Sequence, residues 1–573
     1  MEKYSHPACK QAGPAELLVN SFQNPEWRNR NCLVDADTCR AFSYAQTEEE
    51  TALAAGLLRS FYIEPGDTVS LLLENGLHFF MPWLGAMRIG AKVHPVNCLY
   101  TPEQVLYALE LCETKLLVTQ ERYVWDEEND KPSRLLELLL KQFPELRIVV
   151  MHDAERFESE KPRMGQGYPG TYSWNILKKF VQPYYHVVHR SLNDPFQLIC
   201  TSGTTGKPKA VVQHNGMFEP NVRDIIKTYG LTENDRGLLI NKLFHVNAQV
   251  TNFYSMTLLG GTTVLASPDP KKFLKTLGDW NITYSSVIPP FLKYTLSHSI
   301  PLPEHRKNMR FLIVGADILS PELHKRFTEL TGIQIRPGYG LTESFCWCTG
   351  TDINDPTYWG SIGTALPHDE IKIVDPENNW EEVKDGEWGR LIVSGDNIFR
   401  KYFKNPEATK KAFAPSERWG GKWFDTGDTC RKPFKAKNIF YFGWRASADS
   451  WKVRGEFIEG PSIDEYIKTF PAIDDAMAVP VTIQDETETF LCVVLKPNVI
   501  MNKSEQDKTA QDIINFSEKG RKNGKLGKHC KIKGLNFFDK IELGDTGKKS
   551  RKKMAELAQE VIDKTHNPTL PPS

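Results

Sequence analysis

The sequence predicts an α/β protein, and three observations carry that prediction. From residue 48 to residue 118, segments with apolar side chains at helical spacing alternate with short apolar runs across brief turns. Such alternation builds a parallel sheet with helices on its faces. The same alternation resumes after Phe196, so two α/β units are expected. A chain of 573 residues is also too long for one hydrophobic core and needs two or more domains.

The elements follow in order. Residues 51–62 have apolar positions at helical spacing, Pro65-Gly66-Asp67 is a turn, and 68–73 is a short strand of the buried type. A helical stretch then runs to Ile89, followed by a strand at 92–96, a helix at 102–112 and a strand at 115–118. Residues 134–143 and 148–151 repeat the theme. The second α/β stretch opens at Phe196 and runs past Gly340, with strands expected at 262–266, 284–288 and 311–314. Residues 371–442 are richer in short strands and turns and read as a small β-barrel. The last part of the chain reads as a separate, small α+β module with strands at 476–481 and 490–495.

Composition narrows the function classes. Hydrophobic content of 40% and charged content of 25% are ordinary for a soluble globular chain. A net charge of −1 gives no electrostatic argument for nucleic acid or an anionic membrane as a partner. The eleven cysteines show no repeated pairing, and Cys346-x-Cys348 lacks zinc spacing, which fits reduced thiols in the cytosol. Residues 1–10 carry charges and no apolar core of a secretory signal. The longest apolar stretch, 79–87, ends at Arg88 and falls far short of a membrane span. The terminal Leu-Pro-Pro-Ser is neither a peroxisomal nor a prenylation signal. A cytoplasmic protein without a transmembrane segment is the expectation.

The most informative decapeptide is Cys200-Thr201-Ser202-Gly203-Thr204-Thr205-Gly206-Lys207-Pro208-Lys209, set between the apolar runs 196–200 and 211–212. Glycine lets a backbone approach a phosphate, hydroxyls and amides donate to its oxygens, and lysine offsets its charge. It is not a Walker loop, because the two glycines are too close and Pro208 follows Lys207. Proline here argues for a loop between two strands rather than a helix start.

Further motifs follow at long spacing. Tyr339-Gly340-Leu341-Thr342-Glu343 places a hydroxyl and a carboxylate together, although alone it also suits a turn with a capping threonine. Gly315-Ala316-Asp317 follows the apolar strand 311–314 and suits either a ligand-bordering turn or a plain strand–helix turn. Trp423-Phe424-Asp425-Thr426-Gly427-Asp428 ends on an aspartate able to accept two hydroxyl donors. Phe244-His245 forms an aromatic–histidine pair, and 386–391 reads as structural.

In this order and spacing the motifs resemble those of the adenylate-forming superfamily of acyl-CoA synthetases, stand-alone adenylation domains and luciferases, over nearly the whole chain. Phe244-His245 and the stretches 398–408 and 451–459 look most like carnitine/crotonobetaine-type and short or medium acyl-CoA synthetases. The resemblance implies an ATP-dependent carboxylic acid:CoA ligase that forms an acyl-adenylate and releases AMP and pyrophosphate. ATP, Mg²⁺ and coenzyme A are the implied cofactors, and a small carboxylic acid is the implied substrate. It also implies a division into an AMP-binding domain, 1–445, and a mobile C-terminal domain, 446–573.

Residue by residue, Thr201, Ser202, Gly203, Thr204, Thr205, Gly206, Lys207 and Lys209 are implied to cradle phosphate. Thr342 would donate to the α-phosphate, Glu343 would hold Mg²⁺, and Tyr339 with Gly340 would line the adenine slot. Gly315, Ala316 and Asp317 would border adenine and the acyl pocket, and Asp428 would accept the ribose hydroxyls. His245 stands at the pocket wall where amino-acid-activating relatives carry aspartate, which disfavours an α-amino acid substrate. Arg445 is the implied ribose contact, Gly455 borders the implied pantetheine tunnel, and Lys548 is the implied closing lysine, with Lys549 as the alternative. Three departures stand out: Ala210 replaces a glycine, Trp444 splits the hinge Gly-Arg pair, and the segment before Lys548 lacks the family's proline. The basic run 519–533 suits a solvated lysine face or contact with coenzyme A phosphates. Two other readings use the same motifs: loading of a carrier protein or an amine, and a degenerate fold that binds nucleotide without turnover.

Overall fold

A computed structural model describes residues 12–126, 128–151, 170–201, 208–298, 303–316, 319–351, 355–433, 438–445, 450–453, 456–483, 486–497, 499, 501–522, 525–526, 530–544 and 549–566. Two large sheets dominate. The first has seven strands, with Thr68–Leu72 and Lys92–Pro95 at its centre, Thr114–Gln120, Arg147–Met151 and Thr171–Ser173 to one side, and Pro195–Thr201 then Lys209–His214 to the other. Its pairings are parallel except the last, in which Pro195–Thr201 and Lys209–His214 run antiparallel. The second, of fourteen strands, has a parallel section through Thr262–Leu265, Arg236–Leu239, Tyr284–Val287, Phe311–Val314 and Gln334–Tyr339. From Gln334–Tyr339 it continues antiparallel through Thr349–Gly350, Ser361–Ala365, Phe440–Arg445, Phe424–Arg431, Trp388–Gly395, Asp369–Asp375 and Glu381–Glu382. The strand-rich segment 371–442 therefore grows from the edge of the second parallel sheet.

The expected helix and strand positions recur within a residue or two at most elements. One start differs by seven residues: the helix expected over 51–62 runs Tyr44–Ser60. Ser43 accepts from the Gln46 amide while the Gln46 side chain accepts from the Ser43 amide at 2.8 Å, a capping box that starts the helix inside a polar stretch. The helix Leu77–Arg88 is buried along its whole length. Its Phe80 and Trp83 rings pack on Phe253 at 4.7 and 5.5 Å, joining the first sheet to the π-helical segment Ala248–Tyr254. Arg88, buried in that helix, is matched by Glu48 at 2.5 Å and by the Tyr185 carbonyl at 2.8 Å.

Beyond residue 450 the chain builds smaller sheets. Ser450–Val453 pairs with Glu456–Glu459, and Ile473–Ile483, Glu486–Leu495 and Ile532–Phe537 form a three-stranded sheet. Helices Gly460–Lys468, Lys503–Lys522 and Arg551–His566 accompany it, and two apolar clusters, around Ile463–Leu491 and around Val479–Met554, form its core. Arg551 is buried against Asp464 at 2.7 Å, which anchors the last helix to this unit. Among the described residues, no helix is long and apolar enough to cross a membrane.

Candidate active site

The glycine- and hydroxyl-rich decapeptide begins on one strand and ends on its antiparallel partner. Register runs from Pro195 opposite His214 to Thr201 opposite Lys209. Thr201 Oγ1 donates to the Lys209 carbonyl at 3.4 Å. Ser202, Gly203, Thr204, Thr205, Gly206 and Lys207 lie outside the described residues.

Strand Gln334–Tyr339 delivers the second motif and then breaks into a short 3₁₀ turn, Thr342–Ser344, in which Ser344 Oγ accepts from the Leu341 amide at 3.0 Å. Close backbone approach explains the glycines. A Cβ at Gly340 would stand 1.8 Å from the Cys346 carbonyl oxygen, and one at Gly315 would stand 2.6 Å from both the Gly338 carbonyl oxygen and the Trp347 ring. Ala316 takes a left-handed φ of 65°, a strained conformation for a residue with a Cβ. Trp347 is pinned by its indole N–H to Thr251 Oγ1 at 2.7 Å.

Glu343 is 9% exposed and accepts at Oε1 from the Tyr402 hydroxyl at 2.8 Å. Tyr402 in turn presents its ring to Lys209, whose Nζ lies 5.2 Å from the ring centroid. The Tyr402 segment is stitched to the hairpin by Val212 N–H to the Lys401 carbonyl at 3.2 Å and Phe403 N–H to the Ala210 carbonyl at 2.7 Å. Gln213 Nε2 donates to the Thr342 carbonyl at 3.3 Å. Lys209, Thr342 and Glu343 are thus one construction. Among the described residues Glu343 Oε2 accepts no hydrogen bond, and a single hard oxygen of this kind fits Mg²⁺, which takes few protein ligands.

Asp428, 3% exposed, accepts from the Tyr339 hydroxyl at 2.6 Å. Its strand turns sharply: Gly427 has φ 76° and donates to Asp425 Oδ1 at 3.0 Å, and the Asp428 amide donates to Thr426 Oγ1 at 3.1 Å. Arg390 holds both Asp425 oxygens, at 3.0 and 2.9 Å, so the first aspartate of the motif is structural and the last is presented. Burial, and then the Asp428 carboxylate, push the Tyr339 phenol well above its usual 10, so it remains a donor. Arg445 pairs with Asp428 across the sheet through its backbone.

His245 is exposed, and its ring lies 4.5 Å from that of buried Phe244. Two residues before it, the Leu243 carbonyl accepts from Gln249 Nε2 at 2.7 Å. Gln197 Nε2 reaches both Gln249 Oε1 at 2.7 Å and Gln213 Oε1 at 2.8 Å, and its own oxygen accepts from Trp83 Nε1 at 3.0 Å. A buried carboxamide chain therefore links the hairpin to the Phe244-His245 turn. Asp317, Gly455 and Lys548 lie outside the described residues. Lys549 pairs with Asp475 at 2.7 Å.

Tyr402 and the three glutamines were not singled out from the sequence. Gln197 and Gln213 stand in otherwise apolar strand runs, a signal that was available. Tyr402 carried none.

Fold and site together define an α/β scaffold in which Lys209, Thr342, Glu343 and Asp428, carried by separate strands and turns, are tied together by Tyr402, Gln213 and Tyr339. The chain belongs to the AMP-binding enzyme family, whose model matches residues 22–403. Among curated relatives it is similar to a crotonobetaine/carnitine–CoA ligase of Proteus mirabilis, 28% identical over 458 residues, 78% of this chain and 82% of the relative. It is also similar to an acyl-CoA ligase of Ajellomyces capsulatus, 28% identical over 566 residues, 95% of this chain and 90% of the relative. Among solved structures, ATP-bound MatB from Rhodopseudomonas palustris superposes with a TM-score of 0.80 at 19% identity, covering 96% of this chain and 99% of that one. At that identity the likeness speaks for the fold.

Proposed function

We propose that the protein is an AMP-forming carboxylic acid:CoA ligase. The observation that carries this reading is the joining of Lys209, Thr342 and Glu343 through Tyr402 and Gln213, with Asp428 of a separate strand held by the Tyr339 hydroxyl. Family membership and relatives named as CoA ligases support it.

In the first half-reaction a carboxylate oxygen attacks the α-phosphorus of ATP and the bond to pyrophosphate breaks. Two anions must be brought together, so donors and cations do most of the work. In our reading the hairpin turn and Lys209 hold the phosphates, Thr342 donates to the α-phosphate, and Asp428 receives the ribose hydroxyls. Glu343 would hold Mg²⁺, which when bound offsets phosphate charge. Lys548, carried by residues 446–573 acting as a closing domain, would approach the same oxygens. In the second half-reaction the thiol of coenzyme A attacks the acyl carbonyl and AMP leaves, with Gly455 leaving room for the thiol arm. His245 lines the acid pocket. The ten described cysteines are free thiols, which supports a reducing compartment, in our reading the cytoplasm.

The test is carboxylate-dependent exchange of labelled pyrophosphate into ATP across a panel of acids, followed by mass analysis of products formed with coenzyme A or with a holo-carrier protein. Exchange together with an acyl-CoA product is expected. Exchange with transfer only to the carrier would replace the acceptor, and no exchange with any acid would overturn the reading.

A further inference from the structure

Behind the hairpin lies a side-chain cluster that the adenylation chemistry does not use. Cys200 is the residue immediately before Thr201, and its Sγ lies 3.5 Å from His94 Nε2 and 3.9 Å from Cys112 Sγ. The three ligand atoms all lie within 4.8 Å of one another. Cys112 closes the helix Pro102–Leu111, and His94 lies on the central strand Lys92–Pro95; both are fully buried.

The proton arrangement behind His94 is determined by its neighbours. Thr114 Oγ1 donates its one proton to the Leu109 carbonyl at 3.0 Å, so in its 2.7 Å contact with Ser70 it must accept. Ser70 Oγ thereby spends its own proton on Thr114 and can only accept from His94 Nδ1 at 2.9 Å. The Nδ1 position carries the proton, and the bare Nε2 lone pair faces Cys200. A histidine held at Nδ1 with Nε2 free toward two sulfurs is the arrangement of a metal-binding imidazole with its supporting partner.

The spacing agrees. With metal–sulfur bonds of about 2.3 Å and metal–nitrogen bonds of about 2.0–2.1 Å, a tetrahedral ion has S···S edges of about 3.8 Å and S···N edges of about 3.5 Å. Two thiolates and a neutral imidazole would balance a divalent ion, while Lys92, which interacts electrostatically with Cys112, would offset the surplus negative charge around a monovalent one. The ligands are separated by up to 106 residues in the chain, which is why cysteine spacing gave no sign of them.

We propose that His94, Cys112 and Cys200 form a binding site for a thiophilic closed-shell cation, Zn²⁺ or Cu⁺, at the root of the phosphate hairpin. Two arms tell the ions apart: the reduced full-length protein is titrated with Zn²⁺ against a chromophoric zinc chelator, and with Cu⁺ against a chromophoric copper(I) chelator. One equivalent is expected to be held in at least one arm. Cys200→Ser and Cys112→Ser should each weaken retention by 100-fold or more, on the order expected for loss of a ligand, and Ser70→Ala by about 10–100-fold. Cys39→Ser, at an exposed cysteine, should change nothing. On the wild-type protein alone, the bound ion should shield the Cys112 and Cys200 peptides from alkylation, a readout that does not depend on a variant folding. Failure to hold either ion, equal alkylation of both peptides with and without it, or full retention by Cys200→Ser would overturn the proposal.

Discussion

The Tyr339 hydroxyl donates to Asp428 Oδ2 at 2.6 Å, so the first residue of one motif holds the last residue of another, 89 positions later. Removing only that hydroxyl tests what the contact does. Tyr339→Phe should raise the KM for ATP in pyrophosphate exchange about tenfold with little change in kcat, the scale of one charge-assisted hydrogen bond. Asp428→Ala should lower kcat/KM about a hundredfold, because the ribose would lose its acceptor as well. Equal, small effects of the two substitutions would show that the pair is only structural.

Tyr402 holds Glu343 Oε1 at 2.8 Å, and a carboxylate positioned in this way needs less ordering when a cation binds. Tyr402→Phe should increase the Mg²⁺ concentration needed for half-maximal exchange by about tenfold while leaving the rate at saturating Mg²⁺ within a few-fold of wild type. Glu343→Gln should depress the rate itself by about a hundredfold or more. The check is a Mg²⁺ titration of exchange for each variant.

Lys549 is paired with Asp475 across a partly exposed contact, the kind worth about 0–1 kcal/mol. Lys549→Ala should leave exchange within a few-fold of wild type and barely move the melting temperature. Lys548→Ala should suppress exchange more than a hundredfold while ATP binding, measured by calorimetry, persists. If the two results were exchanged, the closing lysine would be Lys549.

Stability should depend on pH through buried histidine. Burial lowers His324 from 6.5 to about 4, and its ring stacks on Trp359 at 4.7 Å. The folded state keeps this ring neutral, whereas an unfolded chain protonates it below about 6.5. Its contribution is therefore complete above pH 6.5 and is lost as pH falls toward 4, at up to about 1.4 kcal/mol per pH unit. His214, lowered to about 4 by burial and then by Arg400, acts in the same direction. His324→Phe keeps the stack and removes the titration, so its melting temperature should fall less steeply than wild type between pH 6.5 and pH 4. Parallel curves would mean that His324 is not neutral in the folded protein.

Much of the fold could be read from periodicity, because a parallel sheet with covering helices leaves its alternation in the chain. The start of the helix Tyr44–Ser60 escaped because its first turns are polar and only the Ser43–Gln46 cap marks them. Candidate-site residues could be proposed wherever a motif keeps its members within a few positions, as in Thr342 with Glu343. What holds them was not legible. Tyr402 reaches Glu343 across 59 residues and Tyr339 reaches Asp428 across 89, and no local pattern encodes such contacts. The Cys112–Cys200 approach, across 88 residues, escaped for the same reason.

The buried carboxamides carry one more implication. An indole N–H can give a proton but never receive one, so Trp83 compels Gln197 to turn its oxygen toward it and both amide protons outward. That choice obliges Gln213 and Gln249 to accept, and leaves each its own amide to spend on the Thr342 and Leu243 carbonyls. A single ring therefore dictates the polarity of a branched relay, and efforts to reshape the turn at Leu243 will be felt at Thr342 unless all four side chains are kept.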